Sequence, residues 1–268
     1  MKWPVKASIG FIAFLVLVAL FAPVIAPYDY DLQNVSNAYS SPAANHWFGT
    51  DALGRDLLTR LVYGCRISMA IAFVTAISSV AIGMVYGAIA GYLGGFVEKS
   101  MMRVIDILYT LPSLIVMILV MLVFGRNLVG IFVALTATGW LGTARLMRAQ
   151  VNSWKNRPFV EAARALGLPH RNIILKHILP NCVAPLIVEL SYQIPTNILA
   201  EAFLSFLGIG IRPPMPSWGI LSEEGWRSLQ IYPHLTIFPG VCIFLTMLSF
   251  NFIGDYLRDR LDPFLQGR

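Results

Sequence analysis

The chain has 268 residues, 57% hydrophobic and only 13% charged, with a mean hydropathy of +0.68. Soluble domains carry roughly 25% charged residues, so a soluble globular protein is excluded. The net charge of +6 does not point to nucleic acid, because its basic residues flank apolar runs rather than cluster with aromatics. Three widely separated cysteines, Cys65, Cys182 and Cys242, form no CxxC pair and exclude a disulfide framework or a cysteine metal cluster.

Six apolar runs approach or reach the ~20 residues needed to cross a bilayer: about 7–26, 67–91, 104–124, 128–146, 183–206 and 234–254. The first follows Lys2 and Lys6 in the manner of a signal peptide, but its length leads us to expect an uncleaved span. Six spans put both termini on one side. That side carries 14 Lys and Arg against 6 on the other, so it is expected to be cytoplasmic.

Between the first two spans, 28–45 is polar and turn-rich. His46–Arg66 follows, with Asp56 and Arg60 at i,i+4 on an amphipathic pattern, which predicts a capped interfacial helix. Asp51 and Asp56 do not have calcium-loop spacing, and no ligand cluster surrounds them. Near the third span Arg103 and Asp106 predict a local ion pair. Pro112 within that span predicts a kink, which either lines a cavity or only shapes packing. A short turn at Gly125–Asn127 makes spans three and four a hairpin. Span four is rich in small residues (Ala134, Gly139, Gly142, Ala144) suited to close helix contact.

The cytoplasmic stretch PFVEAARALGLPHRNIILKHILPN, 158–181, is the longest polar-containing insert. Pro158 suits a first helical turn, Glu161 the positive N-terminal end, and Gly167 a left-handed terminator. A second short helix, about 172–179, is expected to stop at Pro180. The pair predicts a projection with a small face (Ala162, Ala163, Ala165) suited to another protein's groove. The rival reading is an amphipathic helix lying on the membrane.

Span five carries Glu189 toward its cytoplasmic end and Glu201 toward its outer end, with Pro185 and Pro195. A mid-membrane charge costs roughly 2.5–3.5 kcal/mol on insertion scales, so each carboxylate either lines a pathway or is hydrogen-bonded within helix packing. The outer segment 211–232 offers Trp218 and Trp226 as interfacial aromatics. There is no GxxxxGK[ST] loop, no HExxH and no GxSxG.

Five separated stretches resemble the permease subunits of ABC importers, in their oligopeptide/dipeptide/nickel branch. They are Glu161-Ala162-Ala163 with Gly167 and Leu179-Pro180; GTDxLGRDxLxRLxYGxR from Gly49 to Arg66; EAFLSFLGIG from Glu201; PSWG from Pro216; and Asn251, Gly254-Asp255, Leu257-Arg258-Asp259, Leu261-Asp262-Pro263. His177 departs from the Ile that many permeases carry. The resemblance implies an all-α, polytopic integral membrane protein of the bacterial cytoplasmic membrane, with six transmembrane helices and type I ABC importer permease architecture. It implies two units: 1–66, a first helix with an extracytoplasmic segment, and 67–268, a five-helix permease domain with a coupling loop at 145–182. Glu161, Ala162, Ala163, Gly167, Leu179 and Pro180 would couple to the ATPase, while Glu189, Glu201 and Pro112 are candidates for the translocation path. Asp51, Arg55, Asp56 and Trp218 are candidates for docking a substrate-binding protein. The implied partners are a homologous permease forming a heterodimer, two ATPase subunits holding ATP and Mg, an extracytoplasmic binding protein and membrane lipid. No nucleic acid, metal or cofactor is expected on this chain itself, and no catalytic residue. Short peptides are the expected cargo, with nickel as the alternative. A self-sufficient secondary carrier built on helices broken at Pro112, Pro185 and Pro195 is the rival from another class.

Overall fold

The computed structural model describes residues 3–261; Lys2, Asp262 and Pro263, used above, lie outside the described residues. The elements are α1 (Trp3–Leu20), α2 (Leu57–Leu93), α3 (Gly95–Thr110), α4 (Ser113–Phe124), α5 (Leu128–Trp154), α6 (Pro158–Ala165), α7 (His170–Phe206), α8 (Trp218–Trp226) and α9 (His234–Leu261). No strand occurs among the described residues. Five of these helices are long and apolar enough to cross a membrane, six if α3 and α4 count as one broken span.

Three boundaries and one ion pair differ from expectation. The amphipathic stretch before span two is not a separate helix but the first turns of α2, which runs for 37 residues. Asp56 starts it by accepting the Thr59 backbone N–H at 2.7 Å. Pro112 does more than kink its span: α3 and α4 meet at 88°, since Pro112 cannot donate to the preceding turn and Leu111 is extended. Pro180 does not stop a helix. A π turn at Ile173–Ile178 carries the chain through it, with Leu179 N–H donating to the Ile174 carbonyl, and the wider turn relieves the clash a proline ring makes in an α-helix. The Arg103–Asp106 pair is replaced by Arg145 Nη2 on Asp106 at 2.6 Å.

The bundle is built around α2 and α5, its most extensively packed helix pair. Gly83, Gly87 and Gly91 recur at i, i+4 and i+8 on α2 and lie directly against Thr143, Ala144, Met147, Arg148 and Val151 of α5. In lipid, where apolar surface gains little by leaving its surroundings, backbone approach of this kind drives helix association. Helix α7 packs on α2, α5 and α9, and α1 leans on α9 and α2. Helices α4 and α5 form the expected hairpin, with Asn127 Oδ1 accepting from Gly130 N–H at 2.9 Å.

Gly87→Ala places its Cβ 2.3 Å from the Ala144 carbonyl oxygen, whereas Gly240→Ala meets nothing within 4 Å. The first is expected to destabilise by about 1–3 kcal/mol, the second to be neutral or slightly stabilising. Thermal unfolding in detergent checks this, and similar midpoints for both variants would refute the seam.

Candidate functional site

At one end of the bundle, α6 forms a short projection. Pro158 opens it and Glu161 sits in its first turn. It closes by a Schellman arrangement in which Gly167 (φ +73°) donates to the Arg164 carbonyl and Leu168 to that of Ala163, at 2.9 and 3.2 Å. The inner face, Val160 and Ala163, packs with Ile173, Ile178 and Cys182, and Leu179 lies half-buried beside them. The outer face presents Phe159, Glu161, Ala162, Arg164, Ala165 and an 81% exposed Leu166. The expected small-residue face is therefore corrected: Ala163 points inward, and Leu166 takes its place outside. Pro180 is exposed just past the π turn.

Sequence reasoning did not find what ties this projection to the bundle. Tyr92, near the end of α2, pairs its hydroxyl with His170 Nδ1 at 2.8 Å, and Arg164 stands over its ring. Lys155 Nζ donates to the Gly91 carbonyl at 2.8 Å. Each link joins residues more than 60 positions apart, which no local pattern reveals.

At the opposite end, 27–56 is a folded layer rather than loose turns. Asn34 N–H donates to Leu53, Tyr39 N–H to Asp51 and Thr50 N–H to Ser40. Tyr39 stacks on Tyr232 and Phe48 on Phe238 of α9. Asp51 is the hub. Its Oδ1 accepts the backbone N–H groups of Leu53 and Arg55, and its Oδ2 accepts Arg55 Nε and Arg60 Nη1, both at 2.6 Å. Glu224 of α8 receives both arginines from the other side, Arg55 Nη2 at 3.2 Å and Arg60 through Nη1. Two arginines and two carboxylates thus balance in a largely buried group. The expected Asp56–Arg60 pair does not form, because Asp56 caps α2 and bonds His46 Nδ1 at 2.9 Å.

Asp51, Arg55, Asp56 and Trp218 were candidates for touching a binding protein. All four are buried within this chain. They build that face rather than offer themselves on it. Trp218, expected at a membrane interface, donates its indole N–H to the Leu61 carbonyl inside the core.

The three residues assigned to a path part company. Pro112 is exposed at the bend. Glu201 is enclosed by this chain, with Ser217, Ser205 and Ser68 hydroxyls at 2.7, 2.9 and 3.4 Å. Glu189 is half-buried near the centre of α7, with Gln193 Nε2 at 3.2 Å from its Oε1.

A helical bundle with five or six helices long and apolar enough to cross a membrane, a capped projection at one end and a folded layer at the other is the architecture of a multi-pass membrane protein. Residues 83–267 match the family described as binding-protein-dependent transport system inner membrane component, and 5–42 match the N-terminal TM domain of oligopeptide transport permease C. The oligopeptide transport system permease protein OppC of Bacillus subtilis is 43% identical over 255 residues, 95% of this chain and 84% of that one. OppC of Haemophilus influenzae is 46% identical, covering 96% and 83%. The dipeptide permease DppC of B. subtilis is 43% identical, covering 97% and 82%. Among solved structures, an inward-facing MetNI methionine ABC transporter shares the fold, at TM-score 0.58 and 18% identity, over 77% of this chain and 96% of that one. The chain belongs to the binding-protein-dependent inner membrane component family, the permease subunits of ABC importers, and is a multi-pass inner-membrane protein.

Removing one partner of a buried ion group leaves the others uncompensated. Asp51→Asn is expected to destabilise by about 3–5 kcal/mol. Glu224→Gln, at a carboxylate 28% exposed to solvent, is expected to lose less. Melting of the purified variants tests the order; equal losses would remove Asp51 from the centre of the group.

Proposed function

We propose that this chain forms, with a second homologous permease as a heterodimer, the translocation path for short peptides. Two ATPase subunits, which hold ATP and Mg, drive it from the cytoplasmic side, where both termini lie. An extracytoplasmic binding protein delivers cargo to the layer built on Asp51. The names of the relatives support peptide cargo. The Lys and Arg imbalance supports the orientation, since it places α6 where ATP is available.

The observation that carries this reading is the projection itself. Helix α6 is too short to be stable alone, yet it is capped at Gly167, held at its base and turned so that Phe159, Leu166 and Glu161 face outward. An apolar pair beside a charge is what an amphipathic helix offers to a groove on another protein. In the proposed cycle the ATPase pair closes on ATP and carries α6 with it. Because α6 is tied to α2 through Tyr92 and to α7 through the Ile173–Ile178 turn, the spans follow. ATP shifts the access equilibrium only through contacts that differ between the two states, and α6 supplies them. Glu161 and Gly167, with Ala162, Leu179 and Pro180 beside them, are the coupling residues, and Pro112 with Glu189 faces the path.

Glu161→Lys and Gly167→Asp are expected to insert normally but to lower ATP-dependent peptide uptake by about tenfold or more. Uptake in membrane vesicles, normalised to permease abundance, is the readout. Normal uptake at normal abundance by either variant would overturn the coupling role.

A further inference from the structure

Three elements meet over Gly142. Glu189 lies at the centre of α7, Gly142 and Thr143 at the centre of α5, and Tyr109 just before the bend between α3 and α4. Glu189 is anchored through one oxygen only. Its Oε1 accepts from Gln193 Nε2 at 3.2 Å and from Thr143 Oγ1 at 3.5 Å. Gln193 is itself held, donating to Thr143 Oγ1 at 2.8 Å and to the Gly139 carbonyl at 3.0 Å. The second oxygen, Oε2, has no hydrogen-bond partner among the described residues, and neither has the Tyr109 hydroxyl. Both residues reach the surface of the chain, Tyr109 at 47% exposure.

Gly142 makes the space between them. A methyl group built there would stand 3.4 Å from the Tyr109 hydroxyl and 4.0 Å from Glu189 Oε1. Arg145 covers the Tyr109 ring at 4.1 Å and is neutralised by Asp106 at 2.6 Å. The hydroxyl end of the ring is what remains open, and Arg145 is the one cation the described residues place against it. A carboxylate toward the cytoplasmic end of a membrane span, with one oxygen unpartnered, belongs beside water or a cation rather than against acyl chains. A carboxylate held in place through Oε1 with Oε2 unpartnered, and a hydroxyl across the space over Gly142, suit a small cation with several N–H donors. A primary ammonium has three.

We infer that Glu189 and Tyr109, over Gly142, form a binding site for the α-ammonium group of a peptide in transit. The inference rests on the peptide reading above. Side chains differ from one short peptide to the next, and the free amino terminus is the cation that unmodified peptides share. A path serving many sequences gains from recognising it.

The test uses the whole transporter in proteoliposomes, with its binding protein preloaded with either a free tripeptide or the N-acetylated tripeptide. The wild type is expected to favour the free amine. Glu189→Gln keeps shape but not charge, and is expected to reduce that preference about tenfold. Gly142→Ala fits without a clash, fills the niche and leaves Glu189 in place; it is expected to reduce the preference too, and it stands in if Glu189→Gln assembles poorly. An unchanged preference in both variants, with peptide uptake intact, overturns this site and leaves the peptide importer standing. Failure of the wild type to move either peptide overturns the peptide-cargo reading, and this site with it.

Discussion

The glycine seam between α2 and α5 sets the distance on which the other contacts depend. With Gly87 against the Ala144 carbonyl, the two backbones approach as closely as any side chain would forbid. That approach fixes α2 over its whole length, roughly 55 Å for 37 residues at 1.5 Å per residue. One end of α2 delivers Arg60 into the group with Asp51, Arg55 and Glu224; the other delivers Tyr92 to His170. Neither contact is strong in isolation. Each can form because α2 is already held at the right depth and rotation by a partner it cannot slide past.

The arginine–carboxylate group at the layered end belongs to a different kind of interaction. Exchanging such a group for apolar residues is often neutral or stabilising, so its presence is not explained by stability. Its geometry offers another account. Asp51 comes from the layer, Arg60 from α2 and Glu224 from α8, and the charges satisfy one another only when all three elements are in register. Arg60 Nε is left without a partner even so, which limits how much further burial the group tolerates. In the proposed docking role the layer needs a defined shape more than additional stability, and Trp218, bonded to the Leu61 carbonyl inside the core, gives it a rigid floor.

Much of this was legible in the sequence, and what was not follows a pattern. Spans, the α4–α5 hairpin and the Gly167 terminator all depend on apolar run length or on residues within a few positions of one another. Their physics is local. The misjudged features are those where distant chain segments compete for the same group. Asp56 and Arg60 are well spaced for a pair, but Asp51 and Glu224 reach Arg60 first. Pro180 reads as a stop, and the Ile173–Ile178 π turn carries the helix past it. Trp218 reads as an interfacial aromatic because nothing nearby announces the Ser68 and Leu61 partners that bury it. Glu189 and Glu201 look alike in sequence, yet three serines from three segments enclose one while the other keeps an open oxygen.

That last contrast bears on how a projection at one end could alter a niche at the centre. Helix α7 links the two: it begins at His170, beside α6, and reaches Glu189 near its midpoint. Between them lie the π turn, Pro180 and Pro185, each a place where the i to i−4 ladder is interrupted and bending is easiest. Beyond Glu189, Glu201 pins α7 to α2 through the Ser68 hydroxyl and to the start of α8 through that of Ser217. With Pro195 as a further interruption between Glu189 and that pin, the stretch around Glu189 can turn when the base of α7 is displaced. In the proposed role, displacement of α6 therefore turns Glu189 relative to Thr143 on α5, which is itself held by the glycine seam. The single anchored oxygen of Glu189 is what such a rotation changes first, because Gln193 moves with it and Thr143 does not.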